Sequence, residues 1–328
     1  MAVPAHPTRV RRASARTARA LSAKLLPELR RHHTLPNDVA VAWAGSRLCG
    51  VLLGLQGVAG ESRAEVIDDC VDIFEAEVCA AFEAAGSGER LSLAKARRCM
   101  RSLLAALPTI QRTLMLDLHA AFERDPAATS RTEIALAYPG IRALCIHRIA
   151  HQFHVQGVPL VPRILAESAH ASTGIDIHPG AQIGGGCFID HGTSVVIGET
   201  TVIGRNCTLY QGVTLGARRF DRTKSGSLRR GSKRHPTLRD GVTVYANATI
   251  LGGDTIIGSG STIAASVLVQ ESVPPRSIVR PSKNEISVAR SDTKRSTQSG
   301  AQRGTQRGRA KTSARKRSAS KRAAARTR

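Results

Sequence analysis

Residues 175–190 read IDIHPGAQIGGGCFID, and the spacing of Ile177, Ile183 and Ile189 within and around that string decides the fold. The interval is six. After a phase shift it recurs at Ile197, Ile203, Leu209 and Leu215, and it resumes at Leu238, Val244 and Ile250. It then shifts by one to Leu251 and continues at Ile257, Ile263 and Val269. Glycine directly follows several of these residues, at 184, 198, 204, 216, 252 and 258. A six-residue repeat is the signature of a parallel β-helix, in which each hexad supplies one short strand and one corner of a triangular coil of about eighteen residues. The aliphatic residue points into the prism, and small residues allow the tight corners.

Upstream the period is helical. Residues 35–124 place apolar side chains at i, i+3 and i+4 in segments such as Arg63–Ala85 and Ser92–Arg124, for example Val66, Ile67, Cys70, Val71, Phe74 and Val78, with acids between them. Gly86-Ser87-Gly88 separates these two segments. Asp125-Pro126 reads as a new helix start, with Asp as N-cap and Pro at the first helical position. A further helix is expected over Ile141–Gln156. Downstream, Ala217–His235 (ARRFDRTKSGSLRRGSKRH) interrupts the hexads and is expected to leave the coil as a long loop. The fold class is α+β: a basic lead at 1–33, an α-helical domain at 34–170, a β-helix at 171–280 carrying the loop 217–235, and a basic low-complexity tail at 281–328. The two basic ends are read as disordered, the first in preference to a transit peptide.

Composition narrows the function classes. The net charge of +23 is concentrated at the ends: residues 290–328 hold fourteen Lys/Arg against one acid, and residues 1–33 hold eight against one. The body between them is nearly balanced, so the basic pI says nothing about its site. A tail of this charge binds phosphate backbones without sequence preference, but it carries no aromatics to stack bases; it is read as an accessory segment with possible non-specific polyanion contact, not as the function. Seven cysteines without a C-x-x-C pair fit reduced thiols in the cytoplasm and neither a disulfide framework nor a zinc site. No apolar run is long enough to span a membrane. His147, His151 and His154 have helical spacing but no acidic or cysteine companion, so they read as a packed or solvated stripe and no metal is assigned.

Within the hexads several polar residues stand where a scaffold needs none. Asp176 and His178 share one coil, and Asp190-His191 interrupt a later one. Asp176 and His191 are fifteen apart, less than one turn, so the two are expected near a common edge, where a carboxylate orients an imidazole that acts as general base. Arg234 and His235, at the return of the loop, are donors suited to a carboxylate. His178 before Pro179 is read as a corner residue. No Ser, Cys or Lys of the region stands in a nucleophile motif, which favours direct transfer over a covalent enzyme intermediate.

Six strings, in order, carry a resemblance: Asp125-Pro126-Ala127-Ala128, residues 173–181 (TGIDIHPGA), Ile189-Asp190-His191-Gly192-Thr193, residues 196–200 (VIGET), residues 210–216 (YQGVTLG) and Arg234-His235-Pro236. Over roughly residues 90–280 the chain resembles the serine O-acetyltransferase family of hexapeptide-repeat transferases. The resemblance implies a left-handed β-helix and transfer of acetyl from acetyl-CoA to the L-serine hydroxyl, the first step of cysteine biosynthesis from serine. It implies that His191 is the base and Asp176 its orienting partner. Asp125 and Asp190 would hold the serine ammonium, and Arg234 and His235 its carboxylate. Acetyl-CoA would lie between neighbouring β-helices near Gly216, Ala217 and Ala246, with no metal and no permanently bound cofactor. Family relatives assemble as homotrimers or dimers of trimers and are inhibited by L-cysteine.

Two departures qualify this. The loop 217–235 is longer than the short glycine-rich form of many relatives and resembles a longer-loop branch. Many relatives end in an isoleucine that docks into O-acetylserine sulfhydrylase, whereas this sequence ends in a basic tract at Arg328, which puts that complex in doubt. The rival enzyme reading is a γ-type carbonic anhydrase, which shares the β-helix but needs three histidines around zinc; a sugar acceptor is disfavoured by residues that match both ends of an amino acid.

Overall fold

The computed structural model describes residues 35–55, 61–220, 222–223 and 225–282. The lead 1–33 and nearly all of the tail 281–328, with the targeting and polyanion readings attached to them, lie outside the described residues. Among the described residues six helices come first: α1 (Asp38–Leu52), α2 (Arg63–Ala84), α3 (Glu89–Arg124), α4 (Arg131–Ala137), α5 (Pro139–Val155) and α6 (Val161–Thr173). Several begin for a legible reason. Ser62 and Glu65 close a capping box at α2, each side chain accepting from the other's backbone N–H. Pro139 and Pro162 stand in the first turns of α5 and α6, where their missing N–H costs nothing. The break expected at Gly86-Ser87-Gly88 falls between α2 and α3.

Asp125 corrects the reading of the sequence. It does not open a helix; it closes α3, with its extended backbone (φ −103°, ψ 105°) ending the helix. Pro126 accounts for the extended backbone, because its ring disfavours the α region for the residue before it, and the apolar period of α3 running up to Arg124 makes that residue the end of a helix and not a start. The next helix starts at Arg131, capped by the Ser130 side chain. Asp125 instead accepts the Ala127 N–H at 2.8 Å and fixes a turn.

The helices bury a common core centred on Phe74 and Phe153, whose rings lie 5.1 Å apart. Cys49, Cys70, Cys99 and Cys145 are buried there and unpaired, acting as small apolar side chains.

Fourteen strands of two or three residues follow: β1 (Ile175–Ile177), β2 (Gln182–Ile183), β3 (Phe188–Ile189), β4 (Val195–Ile197), β5 (Val202–Ile203), β6 (Thr208–Leu209), β7 (Thr214–Gly216), β8 (Thr237–Leu238), β9 (Thr243–Val244), β10 (Thr249–Leu251), β11 (Ile256–Ile257), β12 (Thr262–Ile263), β13 (Leu268–Val269) and β14 (Ile278–Val279). They pair in parallel as three sheets, β1-β4-β7-β10-β13, β2-β5-β8-β11 and β3-β6-β9-β12-β14. Through β13 every third strand joins the same sheet, and β14 then pairs with β12, so the chain winds as a three-sided solenoid. Ile177, Ile189, Ile197, Ile203, Leu209, Leu215, Leu238, Val244, Ile250, Ile257, Ile263 and Val269 are buried inside it, as the hexads require. A second inward column stands two residues before these, at Ala181, Cys187, Cys207 and Ala248 among others. The column also holds Ile175, Val195, Val213 and Val242, so small and β-branched side chains together fill the prism to crystal-like density.

Breaks in the hexad period mark two of the corners. In regular coils Thr214 follows its partner Val196 by eighteen positions. Val195, however, comes twenty positions after its partner Ile175, and the excess falls in Asp190–Ser194 between β3 and β4. Thr237 comes thirty-five after Val202, the excess being the loop between β7 and β8. Residues inserted at a corner have no inward site to fill, so their side chains turn outward.

Candidate active site

The first corner joins the third sheet to the first. Here the inserted turn Asp190–Ser194 carries His191, Gly192 and Ser194 at positive φ (55°, 83° and 60°). Gly192 has no alternative, since a Cβ would lie 2.4 Å from Ile175 Cδ1. Left-handed backbone at His191, a residue that pays for it, projects the imidazole from the coil with its side chain 68% exposed. Asp190, only 19% exposed, sits beside it with Oδ2 3.9 Å from His191 Nε2. The N-terminus of α5 meets this corner because Gly140 lacks a side chain: a Cβ there would lie 2.2 Å from the Ile189 carbonyl oxygen. Tyr138, just before α5, is thereby set beside the end of α3, where its hydroxyl donates to Asp125 Oδ2 at 2.6 Å. That hydrogen bond, with burial and the charge of Asp125 added, pushes the Tyr138 phenol up to about 12. On the two following coils of the same corner, Tyr210 and Tyr245 stack with centroids 5.0 Å apart.

Asp176 lies on the outer side of β1, opposite Val196 in register. The inserted turn packs on the residues just before it, with the Ser194 N–H donating to the Gly174 carbonyl at 2.9 Å. Among the described residues the carboxylate that reaches the His191 ring is that of Asp190, and Asp176 makes no ion pair. The inserted turn thus packs against the residues that lead into β1, while among the described residues no Asp176–His191 ion pair is made.

The second corner joins the first sheet to the second. The loop from Ala217 returns here through Arg234 and His235, stacked on Gly198-Glu199-Thr200 of the coil below. Gly198 makes the stacking possible, because a Cβ would fall 2.1 Å from the His235 ring. Thr200 clamps the loop: its Oγ1 accepts the Arg234 N–H at 2.9 Å and the His235 N–H at 3.1 Å. Its own N–H donates to His235 Nδ1 at 3.1 Å, which puts the ring proton of the neutral imidazole on Nε2. Burial, reinforced by the Arg234 charge, lowers the His235 pKa to about 4, so the ring is neutral at pH 7. The Arg234 guanidinium pairs with Glu199. Burial acts to raise the Glu199 pKa, but that hydrogen bond and charge outweigh it and hold the carboxyl below its usual range.

Of the nine candidate residues, the fold groups Asp125, Asp190 and His191 at the first corner, with Asp176 on the adjoining face. It groups Arg234 and His235 at the second, where Gly216 and Ala217 begin the loop. Ala246 belongs to the first corner, between β9 and β10. The sequence reading missed Tyr138, Thr200 and Glu199 as site residues, since their contacts join positions 13 to 35 apart along the chain. His147, His151 and His154 form a packed stripe on α5 with successive rings 5.8 and 6.5 Å apart, and His154 meets His178 of the second corner edge to face.

Burial keeps His147 and His235 from charging, so acid should loosen the fold. Above pH 6.5 both are neutral folded or unfolded and contribute nothing to the pH dependence. Between 6.5 and about 4 the unfolded chain takes up protons the folded chain resists, and stability falls as pH falls. Thermal denaturation at pH 7 and pH 5 checks this: the midpoint should be lower at pH 5 and the gap smaller in His235→Asn.

A three-sided solenoid of six-residue repeats under a helical cap, with polar side chains gathered on interrupted corners, defines a hexapeptide-repeat protein. The Serine acetyltransferase, N-terminal family matches residues 71–145. The chain is 52% identical over 174 residues to a plasmid serine acetyltransferase of Synechococcus elongatus, a match covering 53% of this chain and 54% of that one. Serine acetyltransferase 1 of Entamoeba histolytica, solved in complex with L-cysteine, superposes with a TM-score of 0.65 at 37% identity, over 72% of this chain and 86% of its own. The Brucella abortus serine acetyltransferase, solved in complex with coenzyme A, gives a TM-score of 0.51 at 27% identity, over 82% and 89%. The chain therefore belongs to the serine acetyltransferase family. It spans about half the length of the cyanobacterial relative.

Proposed function

We propose that this protein is a serine O-acetyltransferase that moves the acetyl group of acetyl-CoA to the hydroxyl of L-serine, giving O-acetyl-L-serine and CoA. The observation that carries the reading is the division of charge between the two corners. Asp125 and Asp190 form an acidic face beside the exposed imidazole of His191, and Arg234 with the neutral His235 forms a face of donors. A free amino acid presents one ammonium and one carboxylate, and the two faces suit its two ends. The faces stand on different corners of one chain, so we infer that a site is completed by the first corner of one copy and the second corner of its neighbour, in a homotrimer or a pair of trimers. Coenzyme A would follow the groove between copies, past Gly216 and Ala217 of one and Ala246 of the other; the coenzyme A complex of the Brucella abortus relative supports that donor.

In this reading His191 takes the serine hydroxyl proton as the oxygen attacks the thioester carbonyl, and the imidazolium then protonates the leaving CoA thiolate. Asp190, beside the ring, and Asp176, on the strand against which the turn packs, are the carboxylates available to orient it. Backbone N–H groups of the corner would stabilise the oxyanion. Asp125 and Asp190 hold the ammonium, Arg234 and the His235 Nε2–H the carboxylate, and Arg234 must leave Glu199 to do so. The helical domain at 34–170 serves as the cap and the β-helix at 171–280 as the catalytic domain. Seven unpaired cysteines suit a reducing cytoplasm.

The test is thiol release from acetyl-CoA with L-serine and L-homoserine as acceptors. Serine-dependent release supports the assignment; no release with any hydroxy-amino acid sinks it. Arg234→Ala should raise the KM for serine at least tenfold, the size of a lost charge-assisted contact of about 1.5–3 kcal/mol, with the KM for acetyl-CoA nearly unchanged.

A further inference from the structure

Asp125 is held at both of its oxygens. Oδ1 accepts the Ala127 N–H at 2.8 Å, a contact local to the turn that ends α3. Oδ2 accepts the Tyr138 hydroxyl at 2.6 Å, a contact from a different element, the residue that caps α5. One donor on each oxygen fixes the plane of a carboxylate that would otherwise rotate about its Cβ–Cγ bond. Each oxygen keeps a lone pair for a further donor. Tyr138 is itself fixed, because Pro139 and Gly140 follow it and Gly140 seats α5 directly on the Ile189 carbonyl, one residue from Asp190. The hydroxyl of Tyr138 thus ties the position of Asp125 to the end of β3, from which the turn carrying Asp190 and His191 leaves.

We propose that Tyr138 is a positioning residue for the ammonium of the amino-acid substrate: it sets the Asp125 carboxylate at a fixed place relative to Asp190 and His191. This rests on the reading of Asp125 as an ammonium partner. Tyr138 does not touch the reacting atoms. Its effect passes through Asp125, and its contribution is to remove the rotational freedom that binding would otherwise have to freeze.

Tyr138→Phe keeps the ring and its packing and removes only the O–H. The expected result in steady-state kinetics is a rise of about fivefold to tenfold in the KM for L-serine, as for loss of one hydrogen bond near 1 kcal/mol. The kcat and the KM for acetyl-CoA should stay within twofold and the thermal midpoint should be unchanged. A merely structural role would lower the midpoint or depress kcat without singling out serine, and that outcome overturns the proposal, as does a serine KM within twofold of wild type. Asp125→Asn, measured alongside, separates the two levels. If it leaves the serine KM unchanged, the ammonium reading of Asp125 fails; if it raises that KM while Tyr138→Phe does not, the ammonium reading stands and only the positioning role of Tyr138 is lost.

Discussion

Mixing subunits that carry His191→Ala with subunits that carry Arg234→Ala should restore about a quarter of wild-type thiol release, although each variant alone is nearly inactive at limiting serine. His191→Ala removes the base and should cost about 10²–10⁴ in turnover. Arg234→Ala removes the donor that closes on the serine carboxylate. Each damaged group lies on a different corner, separated by the whole width of the first sheet. When a site takes its first corner from one copy and its second corner from the neighbour, a random assembly pairs an intact His191 with an intact Arg234 at about one interface in four. The measurement is thiol release after co-refolding or co-expression at equal amounts. Activity equal to the average of the two variants would mean that both corners of a site come from one chain, and the shared-site reading would be lost.

The second large effect is on stability. Asp117→Ala should destabilise the protein by about 3–5 kcal/mol, because it strands a buried guanidinium. Asp117 on α3 is fully buried, and Arg148 on α5 is 9% exposed. Arg148 Nε and Nη2 donate to Asp117 Oδ2 at 2.9 and 2.7 Å, while Asp117 Oδ1 accepts the Cys187 N–H at 2.9 Å. Arg148 also donates to the Ile183 and Gly184 carbonyls at 2.9 and 3.1 Å. The pair therefore ties two helices to the first coil of the solenoid, and removing the acid leaves both a buried charge and an orphaned backbone N–H. For a chain of this size the thermal midpoint should fall by roughly 10 °C. Replacing the pair together, as Asp117→Leu with Arg148→Met, should cost less than Asp117→Ala alone, since it leaves no unpaired charge. A single variant as stable as wild type would show that the pair does not carry the junction.

The hexads made the solenoid legible because its period is local: six residues set one strand and one corner, and the inward column from Ile177 to Val269 follows without knowledge of any distant contact. The helices were legible for the same reason, down to the break at Gly86-Ser87-Gly88. Asp125 shows the limit. An Asp-Pro pair suits a helix start and a helix end equally well by local rules, and what decided for the end was that the apolar period of α3 runs up to Arg124 against the third sheet. The second column at Ala181, Cys187 and Cys207 escaped notice because nothing but packing inside the prism asks for it.

The sequence by itself determined the winding, the interruptions at Asp190–Ser194 and 217–235, and the residue types that suit an amino acid. Tertiary structure alone decided which of these residues share a corner. It brought Tyr138 to Asp125 and Thr200 to His235, buried His235 so that it stays neutral, paired Arg234 with Glu199, and separated the acidic face from the cationic one by a full sheet. Burial and pairing depend on which coil lies above which, and that stacking joins residues 13 to 35 apart that no local pattern relates.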